Sequence, residues 1–298
     1  FPVADVHVNH RFVPSKMDPV FFPQLTKSSK SFRAQAMKEI AAMGGKKGII
    51  GINEGLKESY EITAKVLDLK DSPACKEKNL CAFDNYNTQL ILDKGDEPRM
   101  KGSLKDATTC SDALILQFYE EPDAKKAAFG HDITLDDWTK ISKIKDVYGD
   151  VLFTAPVVSV NVAHPLLVYM RDELMDKDRK LAFLCGHDSN IASVTAALEV
   201  EPYDLPNTIE KKTPIGCKLV IEKFEGKDGN MYCDINLTYQ STDQLRNIEM
   251  LSLKNPPQIF PLSLKGLQKN ADGLYLLKDV EGRFMKAIRA YDKIEDEF

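Results

Sequence analysis

The stretch that decides the fold is LAFLCGHDSNIASVTAAL, residues 181–198. It opens with an apolar run, Leu181 to Cys185, passes through Gly186, and turns helical after His187-Asp188-Ser189. A short apolar run closed by glycine reads as a buried strand, and Asp or Ser ahead of a periodic segment is a helix-start signal. In that order the elements put His187 and Asp188 at the carboxyl end of a strand. Open α/β sheets collect ligands there, because a helix N-terminus presents free N–H groups and partial positive charge. His187 can donate to a phosphate oxygen, and Gly186 lets the backbone approach because it lacks a Cβ. A carboxylate beside bound phosphate is repelled unless it is protonated, so Asp188 reads as the acid for a leaving oxygen. The plainer reading of the same residues is a capping Asp188 or Ser189 and a loop histidine.

On the C-terminal side of this stretch, strand patterns at Lys218 to Phe224 and Tyr232 to Gln240 precede a helix near Asp279 to Tyr291. On its N-terminal side, a helix from about Pro156 to Met175 is expected to bend at Pro165. Strand-helix alternation after Gly149 predicts an open α/β sheet covered on both faces. Between Leu25 and Gly149 the spacing is helical almost throughout. Phe32, Ala36, Ile40 and Met43 share a face capped by Ser28 or Ser29 and ended by Gly44-Gly45. A second helix is predicted from Asn53 to about Leu69, a third from Leu104 to Tyr119, and a fourth from a capping-box-like start at Thr134 and Asp137 through Trp138 and Ile144. At the start of the chain ADVHVNH (4–10) alternates like a strand and is followed by the turn-rich segment Pro14 to Pro23. Residues 25–149 are therefore expected to form an α-helical domain inserted into an α/β core of 1–24 and 150–298.

The 298 residues carry 40 Lys and Arg against 45 Asp and Glu, a net charge of −5, with the basic residues scattered. That argues against nucleic acid as a partner, and a bound phosphate must be met by a local cluster of donors. No apolar run approaches the ~20 residues that cross a bilayer, so no membrane partner is expected. The six cysteines contain no CxxC pair and no nearby histidine at finger spacing, and neither metal nor cofactor is called for. Cys75 and Cys81 flank a short polar loop that a disulfide can staple in an oxidising compartment, the alternative being six reduced thiols; Cys185 is expected to stay a buried thiol.

GHDSNIASVTAAL (186–198) resembles the second signature of the histidine acid phosphatases, in particular their bacterial glucose-1-phosphatase and phytase branch. Further stretches agree with that branch in order: MDPVFFP (17–23), DSPACKEKNLC (71–81), KGSLKDATTCSDALILQFYE (101–120), LFTAPVVSVNVAHPL (152–166), TPIGCKLVIE (213–222) and YQSTDQLRN (239–247). The HDSN form and DSPACKEK favour the glucose-1-phosphatase side. The resemblance implies a histidine-phosphatase-like α/β sheet with helices on both faces and an inserted α-helical domain. It also implies a periplasmic or secreted phosphomonoesterase working through a phosphohistidine, with a phosphorylated small molecule such as a sugar phosphate as its substrate. Asp188 would be its general acid and His187 a phosphate-binding residue. Such an acid must be protonated to act, which implies an acidic working range and a raised pKa for Asp188 when phosphate is bound.

Departures from the family sharpen these expectations. Its RHGxRxP-type nucleophile signature is not among these residues: none of the five histidines follows an arginine. The chain opens at Phe1-Pro2, so the nucleophile and a central strand are expected from an N-terminal segment of the same enzyme, which this chain needs as a partner. The rival is a non-catalytic phosphosugar-binding relic. Cys217 replaces the second glycine of a TPxGG turn and suggests a reactive thiol, while Leu267 and Tyr275 stand where the branch has a cysteine pair. Glu97, in DEPRMKGSLK (96–105), falls where glucose-1-phosphatases carry an acidic residue at the pocket mouth. There it would disfavour a highly phosphorylated inositol, the substrate of the alternative phytase reading, unless it is an ordinary solvated loop residue. Trp138, Tyr119 and Phe118 read as core or interdomain packing rather than a sugar platform.

Overall fold

A computed structural model of the chain describes Asp18 and residues 20–295. The strand expected at 4–10, with His7 and His10, lies outside the described residues. Helices dominate the first half: α1 (Lys30–Met43), α2 (Ile49–Glu54), α3 (Lys57–Val66), α4 (Pro73–Lys78), α5 (Ser103–Glu120), α6 (Ala124–Ala127) and α7 (Leu135–Phe153). Ser29 caps α1 by accepting from the Phe32 N–H at 3.0 Å, and Thr134 with Asp137 closes the capping box expected at α7. The helix predicted over 53–69 is instead two helices parted at Gly55-Leu56. A hairpin that helical spacing did not announce, β1 (Thr88–Ile91) and β2 (Arg99–Gly102), interrupts the helical half.

Gly102 joins β2 to α5 with φ 101°, and a Cβ there would sit 1.3 Å from the Asn87 carbonyl oxygen, so only glycine fits the junction. Leu25 fixes the hairpin tip, donating its N–H to the Asp96 carbonyl at 2.9 Å and accepting from the Gly95 N–H at 2.7 Å. Phe32, Ile40, Leu56, Leu104, Ile144 and Val158 share one core, and Phe118 packs on Trp138 in a second, with ring centroids 4.4 Å apart.

The second half is built on α8 (Pro156–Met175), α9 (Asp188–Ala197) and α11 (Leu277–Asp292), with the short α10 (Thr242–Arg246). Four strands pair antiparallel: β3 (Lys218–Glu225), β4 (Met231–Tyr239), β5 (Gln258–Pro261) and β6 (Tyr275–Leu276). Leu277, Val280, Phe284 and Ala287 recur at helical spacing and bury one face of α11 against α8 and β4. Arg283 on that face is buried as well. It donates to the Leu198 carbonyl at 3.0 Å, to the Lys265 carbonyl and to Glu199, fixing the end of α9 to α11.

Three local expectations are corrected. The run 181–185 forms no strand: Leu181 and Phe183 are 63% and 74% exposed, and Cys185 is exposed rather than buried. Apolar propensity makes a strand only where a neighbour completes its backbone hydrogen bonds, and among the described residues none pairs with it. Cys217 is not poised for reaction, because burial pushes its thiol up to about 11. Cys75 and Cys81 form a disulfide.

Tyr275 is fully buried, and its hydroxyl accepts from the Leu264 N–H at 2.8 Å. Tyr275→Phe leaves that N–H without a partner in the core. Urea denaturation should register a loss of about 1–3 kcal/mol, and an unchanged midpoint would show that the bond contributes nothing.

Candidate active site

His187 occupies the N-cap position of α9 with extended backbone, and Asp188 is the first helical residue. Asn190 holds this start in place. Its Oδ1 accepts from the His187 N–H at 2.9 Å and its Nδ2 donates to the Phe21 carbonyl at 3.0 Å. A Cβ on Gly186 would lie 2.7 Å from that Oδ1 and 3.2 Å from the Phe21 ring, so the missing side chain makes room for this bridge. Asp188 points its carboxylate two ways: Oδ1 accepts from the Ser189 N–H at 2.8 Å, and Oδ2 lies 3.2 Å from Lys145 Nζ.

Lys145, on α7, is one of three residues that lock the loop after α9. Ser142 donates to the Ile209 carbonyl, Asp146 accepts from the Lys211 N–H at 2.9 Å, and Lys145 Nζ lies 3.3 Å from Glu210 Oε1. Glu210 has no exposed surface, and its other oxygen accepts from the Ile215 N–H at 3.2 Å. Burial pulls the Lys145 ammonium down, but Glu210, Asp188 and Asp146 outweigh it and hold the group above its ordinary value.

Glu97, half-buried in the loop between β1 and β2, comes within electrostatic reach of both sequence-predicted residues. Burial raises its carboxyl, His187 lowers it and Asp188 raises it further. Asp112 on α5 is the next carboxyl of the cluster, raised by burial with Lys145, Asp188 and Lys105 acting on it. Tyr148 is raised by burial and then by Asp112 and Glu97, and Lys105 Nζ lies 5.3 Å from its ring centre. The structure therefore brings Glu97, about 90 residues away in sequence, to the neighbouring pair His187 and Asp188, and adds Asp112, Lys145, Tyr148 and Glu210, which sequence reasoning missed. One signal was available for Lys145: it lies seven residues after Trp138 and four after Ile141, a charge on an otherwise buried helical face. A cavity of about 550 Å³ opens elsewhere on α9, lined by Thr195, Ala196, Asp150, Tyr203 and Lys212, and takes no part in this cluster.

A carboxyl and an imidazole at one helix start, with a lysine beside the carboxyl, suit transfer of a group that leaves with a proton. No family model matches the chain. The fold superimposes on the phytase of Citrobacter braakii with a TM-score of 0.82 at 24% identity, covering 96% of this chain and 73% of that one. A glucose-1-phosphatase of Providencia rettgeri is 37% identical over 97% of this chain and 68% of its own length. The chain belongs to the histidine acid phosphatase family of hydrolases. Within it, a second relative, from Salmonella typhimurium, is also named glucose-1-phosphatase and is 39% identical over 92% of this chain. The chain spans 68% and 65% of these two relatives, about two thirds of each.

Proposed function

We propose that this chain carries the acid-catalyst side of a glucose-1-phosphatase-type phosphomonoesterase. The observation that carries the reading is Asp188 at the start of α9, paired to Lys145 and adjoining His187, in a chain 37–39% identical to glucose-1-phosphatases. His187 binds a phosphate oxygen, and Asp188 protonates the departing alcohol as a phosphohistidine forms. The nucleophilic histidine and its arginines come from an N-terminal segment of the same enzyme. That segment also supplies a strand for the exposed run 181–185, which pairs with no strand among the described residues and whose apolar side chains suit pairing. In this reading, residues 25–149 form the helical unit inserted into the α/β core of 1–24 and 150–298. The Cys75–Cys81 disulfide supports an oxidising compartment, the periplasm or the exterior.

Three carboxyl groups, Glu97, Asp112 and Asp188, gather at the site. They repel a ligand crowded with phosphates and tolerate a neutral sugar carrying one, which favours a sugar phosphate over inositol hexakisphosphate. The test is an acid-pH assay of the full-length protein on glucose 1-phosphate and inositol hexakisphosphate. The sugar phosphate should have the higher kcat/KM. Glu97→Lys should improve the ratio for the inositol by on the order of tenfold, the equivalent of about 1.4 kcal/mol of charge interaction. Turnover of neither substrate would leave a phosphosugar-binding relic, and a preference for the inositol would replace this reading with the phytase one.

A further inference from the structure

Both oxygens of the Asp188 carboxylate are taken, one by its own helix and one by α7. Its side chain is about half exposed, and an exposed ion pair alone would leave it loosely held. Its partner is not loose. Lys145 is only 19% exposed, and Glu210 beneath it is wholly buried and tied to the Ile215 N–H. A buried carboxylate such as Glu210 is costly without a cation, and Lys145 supplies one. The contacts run without a break from the Ile215 backbone through Glu210 and Lys145 to Asp188.

We propose that Lys145 is a positioning residue for the phosphatase reaction: anchored on buried Glu210, it aims the Asp188 carboxyl at the leaving oxygen of the phosphate ester. The inference rests on the phosphatase reading above and deepens it. In the step concerned, a P–N bond forms to the histidine nucleophile as the P–O ester bond breaks. The electrons of that bond go to the leaving oxygen, which takes the proton of the Asp188 carboxyl. Lys145 keeps its own protons and touches neither phosphorus nor nucleophile; its ammonium by itself favours the ionised carboxylate, so Asp188 takes up the proton it delivers only when the negative phosphate ester is bound beside it. Loss of Lys145 is therefore felt only where the leaving oxygen needs the proton.

Leaving-group dependence separates this role from a structural one. Glucose 1-phosphate departs as an alkoxide that must be protonated, whereas p-nitrophenyl phosphate departs as a stable phenolate. The experiment measures kcat/KM for both substrates in the full-length protein, in Lys145→Met, and in the double variant Lys145→Met/Glu210→Gln, which removes the buried charge together with its partner and protects the fold. Asp188→Asn is the reference. The lysine variants should lose roughly tenfold or more on glucose 1-phosphate and less than about threefold on p-nitrophenyl phosphate, the same bias as the reference. Equal losses on the two substrates, or no loss, in the double variant overturn the inference while the phosphatase reading stands. A reference variant without bias overturns Asp188 as the acid, and a parent without turnover overturns the phosphatase reading; either takes the inference with it.

Discussion

Asp188→Asn in the full-length protein is expected to lower kcat/KM on glucose 1-phosphate by roughly 10²- to 10⁴-fold, the range over which a positioned general acid contributes. The substitution is isosteric. Asparagine keeps an oxygen for the Ser189 N–H, and Lys145 keeps Glu210, so the start of α9 and the loop at Glu210 stay in place. What is lost is a proton that can be delivered to the leaving oxygen. Because the Asp188 side chain is about half exposed, thermal stability should change by less than about 1 kcal/mol. Steady-state kinetics with a parallel melting curve checks both parts. Activity within threefold of the parent, in a folded variant, would remove Asp188 from the acid role.

The second large effect is on stability against pH, and it centres on Asp146. Its carboxyl is buried with Oδ1 unpartnered, and burial pushes it up to about 7 from 3.8, with Glu210 and Asp150 adding to the rise and the Lys211 N–H and Lys145 opposing it. Glu97, Asp112, Asp150 and Glu210 are raised too, in each case chiefly by burial. An acid whose folded pKa exceeds its unfolded value binds more protons in the native state between the two. Stability therefore falls as pH rises through that window and levels off above it. For Asp146 the window runs from 3.8 to about 7. A rise of roughly three units corresponds to a cost of at most about 4 kcal/mol at neutral pH. Surface carboxyls such as Asp137 and Asp228, lowered by hydrogen bonds, act with the opposite sign and only at the acid end.

The protein should accordingly be more stable near pH 5 than near pH 8. Asp146→Asn should flatten that dependence, gaining about 2–4 kcal/mol more at pH 8 than at pH 4. Taking the difference between the two pH values cancels the fixed cost of a buried amide without a partner. Urea titrations of parent and variant from pH 4 to 8 decide the matter, and parallel curves would show that Asp146 ionises in the folded protein as it does in water.

Local chemistry was legible wherever a few neighbouring residues settle the outcome. Ser29 and the pair Thr134-Asp137 start their helices because their side-chain oxygens reach backbone N–H groups three residues on. The strand patterns read at Lys218 to Phe224 and Tyr232 to Gln240 form β3 and β4, each within a residue of the expected ends, and Cys75 reaches Cys81 across a short loop. Phe118 and Trp138 pack in the core as their helical spacing suggested. The HD pair at a helix start was readable for the same reason.

The limits appear where the outcome depends on a distant partner. Leu181 to Cys185 has the composition of a strand, but composition supplies no neighbouring backbone, and the run stays exposed. The short β1–β2 hairpin carries Glu97 to His187 and Asp188 through a tip tied to Leu25, a contact that no periodicity announces. Cys217 looked reactive because its turn position was visible and its burial was not. The sequence by itself determined the helix that begins at Asp188, the residue types able to bind phosphate and give a proton, and the family, because these rest on neighbours along the chain and on ordered motifs. Only the tertiary structure decided that Lys145 stands between Asp188 and Glu210, that Asp112 and Glu97 share their field, and that burial raises the Asp146 carboxyl. Each depends on burial and on charges brought together from separate segments, and Coulomb energy and desolvation follow distance in space, not position along the chain.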